Sequence, residues 1–312
     1  MTNNIYVFIR ERATFFAEFP SLVDVGNGEA QPRSVESRER QGVDMVNGLS
    51  RRQFVAVGAG AVVLKTGIAS GSENASAVTG VSAMKTIGVL GGLGPQATMD
   101  FEARVHRVAQ RLIPPSHNRG YPPMVVYYYR HAPLLLTEEG KPLLPFRPDP
   151  RLLEAAKRVG GLADFLVITS NTPHLFQAEI EQAAGCKVLS MIDTTLEEVR
   201  QRKWKRVGVL GLIDPVFYTR PLGQLGIECE TMDPESRVAL DKAIFRLMEG
   251  RDNAESAAAA REAVAALRAR GVEGVILGCT EIPLLLRESA DEADLINPAQ
   301  LLAEATVRAA LK

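Results

Sequence analysis

The sequence predicts an α/β fold of two pseudo-symmetric halves, each a mainly parallel sheet flanked by helices, with the active site in the cleft between them. Three observations carry this prediction. The stretches "KTIGVLGGLGP" at 85–95 and "KRVGVLGLIDP" at 205–215 resemble each other, so the chain after Met84 holds an internal repeat. A second related pair follows at similar distance, "GLADFLVITSNTPH" at 161–174 and "GVEGVILGCTEIP" at 271–283. Helical segments fall between these apolar runs, and alternating strands and helices build parallel sheets with helices on both faces.

Taken in chain order, residues 1–84 differ from the rest. Residues 1–44 are polar with no sustained period. From Leu49 the chain reads "LSRRQFVAVGAGAVVLKTGIASGSENASA", in which Arg51 and Arg52 precede an apolar run and the small-residue ending Ala75-Ser76-Ala77. That order of basic, apolar and small residues is the pattern of a twin-arginine export signal. The run Phe54 to Leu64 is too short to span a bilayer, which takes roughly 20 apolar residues. Residues 1–84 are therefore expected to be a leader, disordered or removed, with Met1, Met45 and Met84 as candidate starts. If the signal is used the protein is periplasmic or otherwise exported; if not, it is cytoplasmic.

The remainder is expected to divide into a first α/β domain, 85–195 plus 290–312, and a second, 196–289. Each apolar run ends at or beside Gly, as buried parallel strands do when they enter a turn. "PRLLEAAKRVGG" supplies a helix before the strand at Phe165, and "AESAAAAREAVAALRARG" another, stopped by Gly271. Pro95 suits a first helical turn, and Thr172 can cap a helix opened by Pro173. In such sheets ligands bind outside the carboxyl ends of strands. The four turns there are Gly91 to Pro95, Ser170 to His174, Gly211 to Pro215 and Cys279 to Pro283, so one cleft would collect them all.

Composition excludes several functions. With 46% apolar and 23% charged residues and a net charge of -1, the chain has the balance of a soluble globular protein and no basic footprint for nucleic acid. Cys186, Cys229 and Cys279 are odd in number and share no metal-ligand spacing. His106, His117, His131 and His174 form no metal motif either. The Gly-Gly-Leu-Gly-Pro turn lacks both a full dinucleotide fingerprint and the P-loop Lys-Ser/Thr.

On "IGVLGGLGPQAT", "SNTPH" and above all "GVILGCTEIPLL", residues 84–312 resemble the cofactor-independent aspartate/glutamate racemase family. The resemblance implies two pseudo-symmetric domains, a homodimer, a small amino-acid substrate, and neither pyridoxal phosphate nor metal. It casts Cys279 as a thiol acid/base, and inversion needs a second group on the opposite face of the α-carbon, within hydrogen-bond reach. The family's first motif usually carries Cys before Asn-Thr; Ser170 stands there here. Read without gaps, the repeat pairs Cys279 with Thr169; with a one-residue gap it pairs Cys279 with Ser170. Asn171, Thr172, Thr280 and Leu93 match motif positions that hold the substrate, and Glu281 either orients a neighbour or receives the ammonium group. His174 could polarise Ser170 or cap a turn. A distal carboxylate would need a cation, yet Met248 and Glu249 stand where the family often has Lys, which leaves Arg246 and Arg130 as candidates, and Leu212 stands where it often has Thr. The expected function is racemisation or epimerisation of aspartate or glutamate. The alternatives are a one-cysteine decarboxylase or isomerase of a dicarboxylate, and an inactive small-carboxylate binder.

Overall fold

The computed structural model describes residues 84–212 and 215–312. The export pattern from Arg51 to Ala77 and the candidate starts Met1 and Met45 lie outside the described residues.

Two four-stranded sheets, parallel throughout, form in succession. The first holds β1 (Ile87–Gly91), β2 (Met124–Tyr128), β3 (Phe165–Ile168) and β4 (Val188–Leu189) in the spatial order β2-β1-β3-β4. The second holds β5 (Arg206–Leu210), β6 (Glu228–Thr231), β7 (Gly274–Leu277) and β8 (Leu295–Ile296) in the order β6-β5-β7-β8. The repeat seen in sequence is thus a repeat of topology. The second sheet takes in β8, beyond the limit of residue 289 read from the sequence, because the apolar pair Leu295 and Ile296 is buried against β7.

The helices are α1 (Pro95–Leu112), α2 (Pro150–Gly160), α3 (Gln177–Ala184), α4 (Met191–Arg202), α5 (Val216–Gln224), α6 (Pro234–Met248), α7 (Ala254–Arg268), α8 (Ile282–Leu286) and α9 (Pro298–Ala310). A 3-10 turn at Thr172–Phe176 leads into α3. Side chains along a strand point alternately to opposite faces. Ile87 and Val89 accordingly pack with Phe101 and Val105 of α1 and Leu302 of α9, while Leu90 packs with Leu152 of α2 and Ile180 of α3. In the second sheet Val207 and Val209 meet Val199 of α4 and Leu222 of α5, and Leu210 meets Ile244 of α6 and Leu267 of α7. Burial on both faces is what makes these strands apolar at nearly every position. Each such Val, Leu or Ile contributes about 1.5–3 kcal/mol on leaving water. Among the described residues no helix is long and apolar enough to cross a membrane.

Strand register decides how the two halves correspond. Ile87 pairs with Phe165 in the first sheet, and Val207 pairs with Gly274 in the second. Since "IGVLG" and "VGVLG" are equivalent, Phe165 corresponds to Gly274, and five residues on, Ser170 corresponds to Cys279. The one-residue gap lies just before the strands: three residues, 162–164, stand between Gly161 and β3, and two, 272–273, between Gly271 and β7.

Candidate active site

Ser170 and Cys279 follow β3 and β7, the inner strands that pair with β1 and β5. Thr169, the other residue that could have faced Cys279, is fully buried, with its hydroxyl 2.8 Å from that of Thr98 on α1. Thr98 Oγ1 also accepts from Gly92 N–H at 2.8 Å and lies 3.2 Å from Gly94 O, so this threonine pair holds the β1–α1 turn in shape. Ser170 is partly exposed.

The second motif is built around a carboxylate. Cys279 Sγ–H donates to Glu281 Oε2 at 3.1 Å, and the Thr280 hydroxyl donates to the same oxygen at 3.0 Å. All three residues are buried. Burial, followed by the charge of Glu281, pushes the Cys279 thiol well above the ordinary thiol range, and burial likewise raises the Glu281 carboxyl. The other carboxylate oxygen, Glu281 Oε1, is buried with no hydrogen-bond partner among the described residues. It lies against Gly94, where any Cβ would collide with it. Glycine there leaves room for this close approach of the second half's carboxylate to the first half's backbone, and a larger residue would make the carboxylate shift.

Beside it, Gln96 Nε2 donates to Met248 O at 3.2 Å, and Gln96 Oε1 is buried with no partner among the described residues. The Met248 methyl lies 3.9 Å from the place a Gly94 Cβ would take. Met248 and Leu212 pack against the apolar cluster that includes Cys279. Leu93, partly buried, packs on the outer cluster of the first sheet.

Asn171 ties the halves together. Its Nδ2 donates to Gly278 O at 3.0 Å, and its Oδ1 accepts from the Tyr218 hydroxyl at 2.9 Å. The Asn171 side chain is thereby committed within the protein. Tyr218 was not singled out by sequence reasoning; a buried tyrosine needs a partner for its hydroxyl, and nothing in the spacing pointed to Asn171. The expected Thr172 cap does not form: Asn171 occupies the cap position, no side chain caps the turn, and Pro173 lies within it.

His174 is structural in its contacts. Its Nε2 accepts from Met191 N–H at 3.1 Å at the start of α4, which makes Nδ1 the protonated nitrogen, 2.9 Å from Ser170 O and 3.2 Å from Asn171 O. Desolvation lowers its pKa to about 4, so the ring is neutral at pH 7. It holds the Ser170 main chain and does not bond the Ser170 hydroxyl. A cavity of about 570 Å³ beside His174 is lined chiefly by apolar residues such as Leu175, Ile192, Leu196 and Phe217; neither Ser170 nor Cys279 borders it.

The two arginines considered for a distal carboxylate are engaged elsewhere. Arg246 is ion-paired with Glu255 at 2.7 Å. Arg130 is exposed and lays its guanidinium 4.9 Å over the Tyr128 ring, beyond the edge strand β2 and on the far side of β1 from Ser170. Among the described residues no group of three His, Cys, Asp or Glu is arranged to hold a metal ion.

A family profile described as Asp/Glu/Hydantoin racemase matches residues 90–306, more than half of the chain. The chain belongs to the Asp/Glu/Hydantoin racemase family. Among relatives of this racemase family, the broad specificity amino-acid racemase RacX of Bacillus subtilis (strain 168) is 25% identical over 229 residues, 71% of this chain and 96% of its own. Solved structures share the fold. An aspartate racemase homologue from Pyrococcus horikoshii OT3 is 23% identical with a TM-score of 0.57, over 73% of this chain and 100% of its own. The Picrophilus torridus aspartate racemase is 21% identical with a TM-score of 0.57, over 72% and 94%.

Proposed function

We propose that the protein is a cofactor-independent amino-acid racemase in which Cys279 and Ser170 work on opposite faces of the substrate α-carbon. The observation that carries this reading is the Cys279–Glu281 hydrogen bond at the strand end that corresponds by register to Ser170. Family membership and the names of the relatives, amino-acid racemase and aspartate racemase, support it.

The chemistry follows from the two environments. The buried thiol is a poor acid, so it needs a proton acceptor in contact, and the raised Glu281 carboxyl is a better base than an ordinary one. Transfer of the Sγ proton to Glu281 leaves a thiolate, which takes the α-proton. The C–H electron pair passes into the substrate carboxylate, and the resulting planar carbanion receives a proton from Ser170 Oγ on the other face, giving the mirror isomer. Solvent then reprotonates Ser170 and accepts the proton held by Glu281, which restores the starting thiol, carboxylate and hydroxyl. Ser170 stands where the family motif carries a thiol, and a hydroxyl is the weaker acid/base, so the step on its face is the slower one. The backbone N–H groups of the turns after β3 and β7, at Thr172 and Thr280, would hold the α-carboxylate.

The test is α-proton exchange of free amino acids in deuterated water, followed by NMR, with chiral analysis of the product. Cys279-dependent exchange and inversion are expected. One thiol facing a hydroxyl also suits protonation from a single side, as in decarboxylation of a disubstituted malonate; carbon dioxide release without amino-acid exchange would favour that reading. The Arg51-Arg52 pattern further supports export by the twin-arginine route, for which the expected mature N-terminus, read by sequencing of the secreted form, follows Ala77.

A further inference from the structure

We infer that the substrate is a neutral amino acid with an apolar side chain, its α-ammonium held by Glu281 Oε1 and Gln96 Oε1 and its side chain seated against Met248 and Leu212. This rests on the racemase reading and names the substrate that reading leaves open.

The two acceptors call for a donor. Glu281 Oε1 and Gln96 Oε1 are both buried and without a partner among the described residues, and a buried polar atom left unpaired is costly. Both lie beside Gly94 and Met248. Glu281 Oε1 abuts Gly94, the residue before α1, and Gln96 lies in the first turn of α1 with its Nε2 already committed to Met248 O. Two acceptors are satisfied by a group with two polar hydrogens, and of the groups an amino acid carries the α-ammonium supplies them. The ammonium is the one on the α-carbon because of where Glu281 points. Its Oε2 bonds Cys279 Sγ at 3.1 Å, so a group bound to the sister oxygen lies one short step from the thiol, as the α-nitrogen must when the α-carbon faces Sγ.

Apolar side chains stand beside these acceptors. The Met248 methyl lies beside Gly94, and Met248 and Leu212 both cover the cluster that holds Cys279. The side-chain carboxylate of aspartate or glutamate would be desolvated against these residues and close to the Glu281 carboxylate. Arg246 and Arg130, spent on Glu255 and Tyr128, do not offset that cost. Methionine or leucine would instead bury its side chain there and gain by it.

The experiment is α-proton exchange by NMR in deuterated water with the full chain, comparing L-methionine, L-leucine, L-aspartate and L-glutamate. Wild type, Cys279→Ala, Met248→Lys and Met248→Leu are run side by side, with thermal melts to check folding. The expected result is exchange on methionine and leucine about tenfold or more faster than on the acids, the scale of discrimination that pocket contacts supply. Met248→Lys is expected to reverse the order, and Met248→Leu to keep it. Cys279-dependent exchange that is as fast or faster on aspartate or glutamate overturns this inference and leaves the racemase reading standing. An order unchanged in a folded Met248→Lys variant also overturns it. Absence of exchange on every amino acid, or exchange indifferent to Cys279→Ala, overturns the racemase reading and this inference with it.

Discussion

The two halves of the molecule place corresponding residues at corresponding strand ends and give them opposite surroundings. After β7, Cys279 is buried and hydrogen-bonded to a carboxylate that burial has made more basic. After β3, Ser170 is partly exposed; its main chain is held by His174, and its neighbours Thr169 and Asn171 are committed to Thr98, Gly278 and Tyr218. On the proposed mechanism the second half carries the reactive machinery, and the first supplies a hydroxyl on a fixed scaffold. If the site has the two faces proposed for it, local environment decides which of them is strong.

The sharpest way to break this comparison is to remove the strong face. Cys279→Ala is expected to lower α-proton exchange by about 10²–10⁴-fold, the range that one acid/base group supplies. The NMR rate measures it, with a melt to confirm folding. Glu281→Gln keeps the shape and removes the proton acceptor, and a loss of about 10²-fold is expected. It also sets Glu281 apart from a merely structural residue. Burial is the first cause of the raised Cys279 pKa and the Glu281 charge the second, so removing the charge should move the alkylation midpoint of Cys279 to lower pH. An unmoved midpoint would count against electrostatic control of the thiol by Glu281.

Altering the weak face has smaller and more selective effects. In the wild type, exchange should be faster for the enantiomer whose α-hydrogen faces Cys279 than for its mirror image. Ser170→Ala is expected to abolish inversion while sparing exchange of that favoured enantiomer. Ser170→Cys should narrow the ratio between the two enantiomers by about tenfold or more, because a thiol is a far stronger acid than a hydroxyl. Equal exchange of both enantiomers in the wild type would remove the asymmetry on which the comparison rests.

Much of this was legible in the sequence, and what was not has physical causes. Strands buried on both faces read as apolar runs ending at Gly, so all four turns at the carboxyl ends and Cys279 itself could be found from pattern alone. The partner of Cys279 could not, because one more residue stands between Gly161 and β3 than between Gly271 and β7, and only hydrogen-bond register restores the alignment. Thr172 and Pro173 looked like a cap and a helix start, yet the chain tightens there into a 3-10 turn that puts Asn171 within reach of Gly278 and Tyr218. Contacts of this kind join residues far apart in sequence and leave no local signature. The same holds for Glu281 against Gly94 and for Gln96 against Met248.

The smallest expected effects are on the scaffold beneath Ser170. Tyr218→Phe leaves Asn171 Oδ1 buried without its donor and should cost about 1–3 kcal/mol, read as a lowered melting temperature. His174 adds a pH signature. Its native pKa of about 4 lies below the ordinary 6.5, because burial disfavours the charged ring. The neutral ring thus contributes its stability in full above pH 6.5, and that contribution is lost as the pH falls toward 4, where the unfolded chain binds a proton that the native ring still refuses. His174→Ala should melt lower at pH 7, having lost the acceptor for Met191 N–H, and its melting temperature should fall less than that of the wild type between pH 6.5 and 4. A variant as pH-sensitive as the wild type across that window would mean that His174 is not buried neutral. The scaffold under Ser170 would then be as changeable as the face it supports, and the contrast between a reactive half and a fixed half would lose its basis.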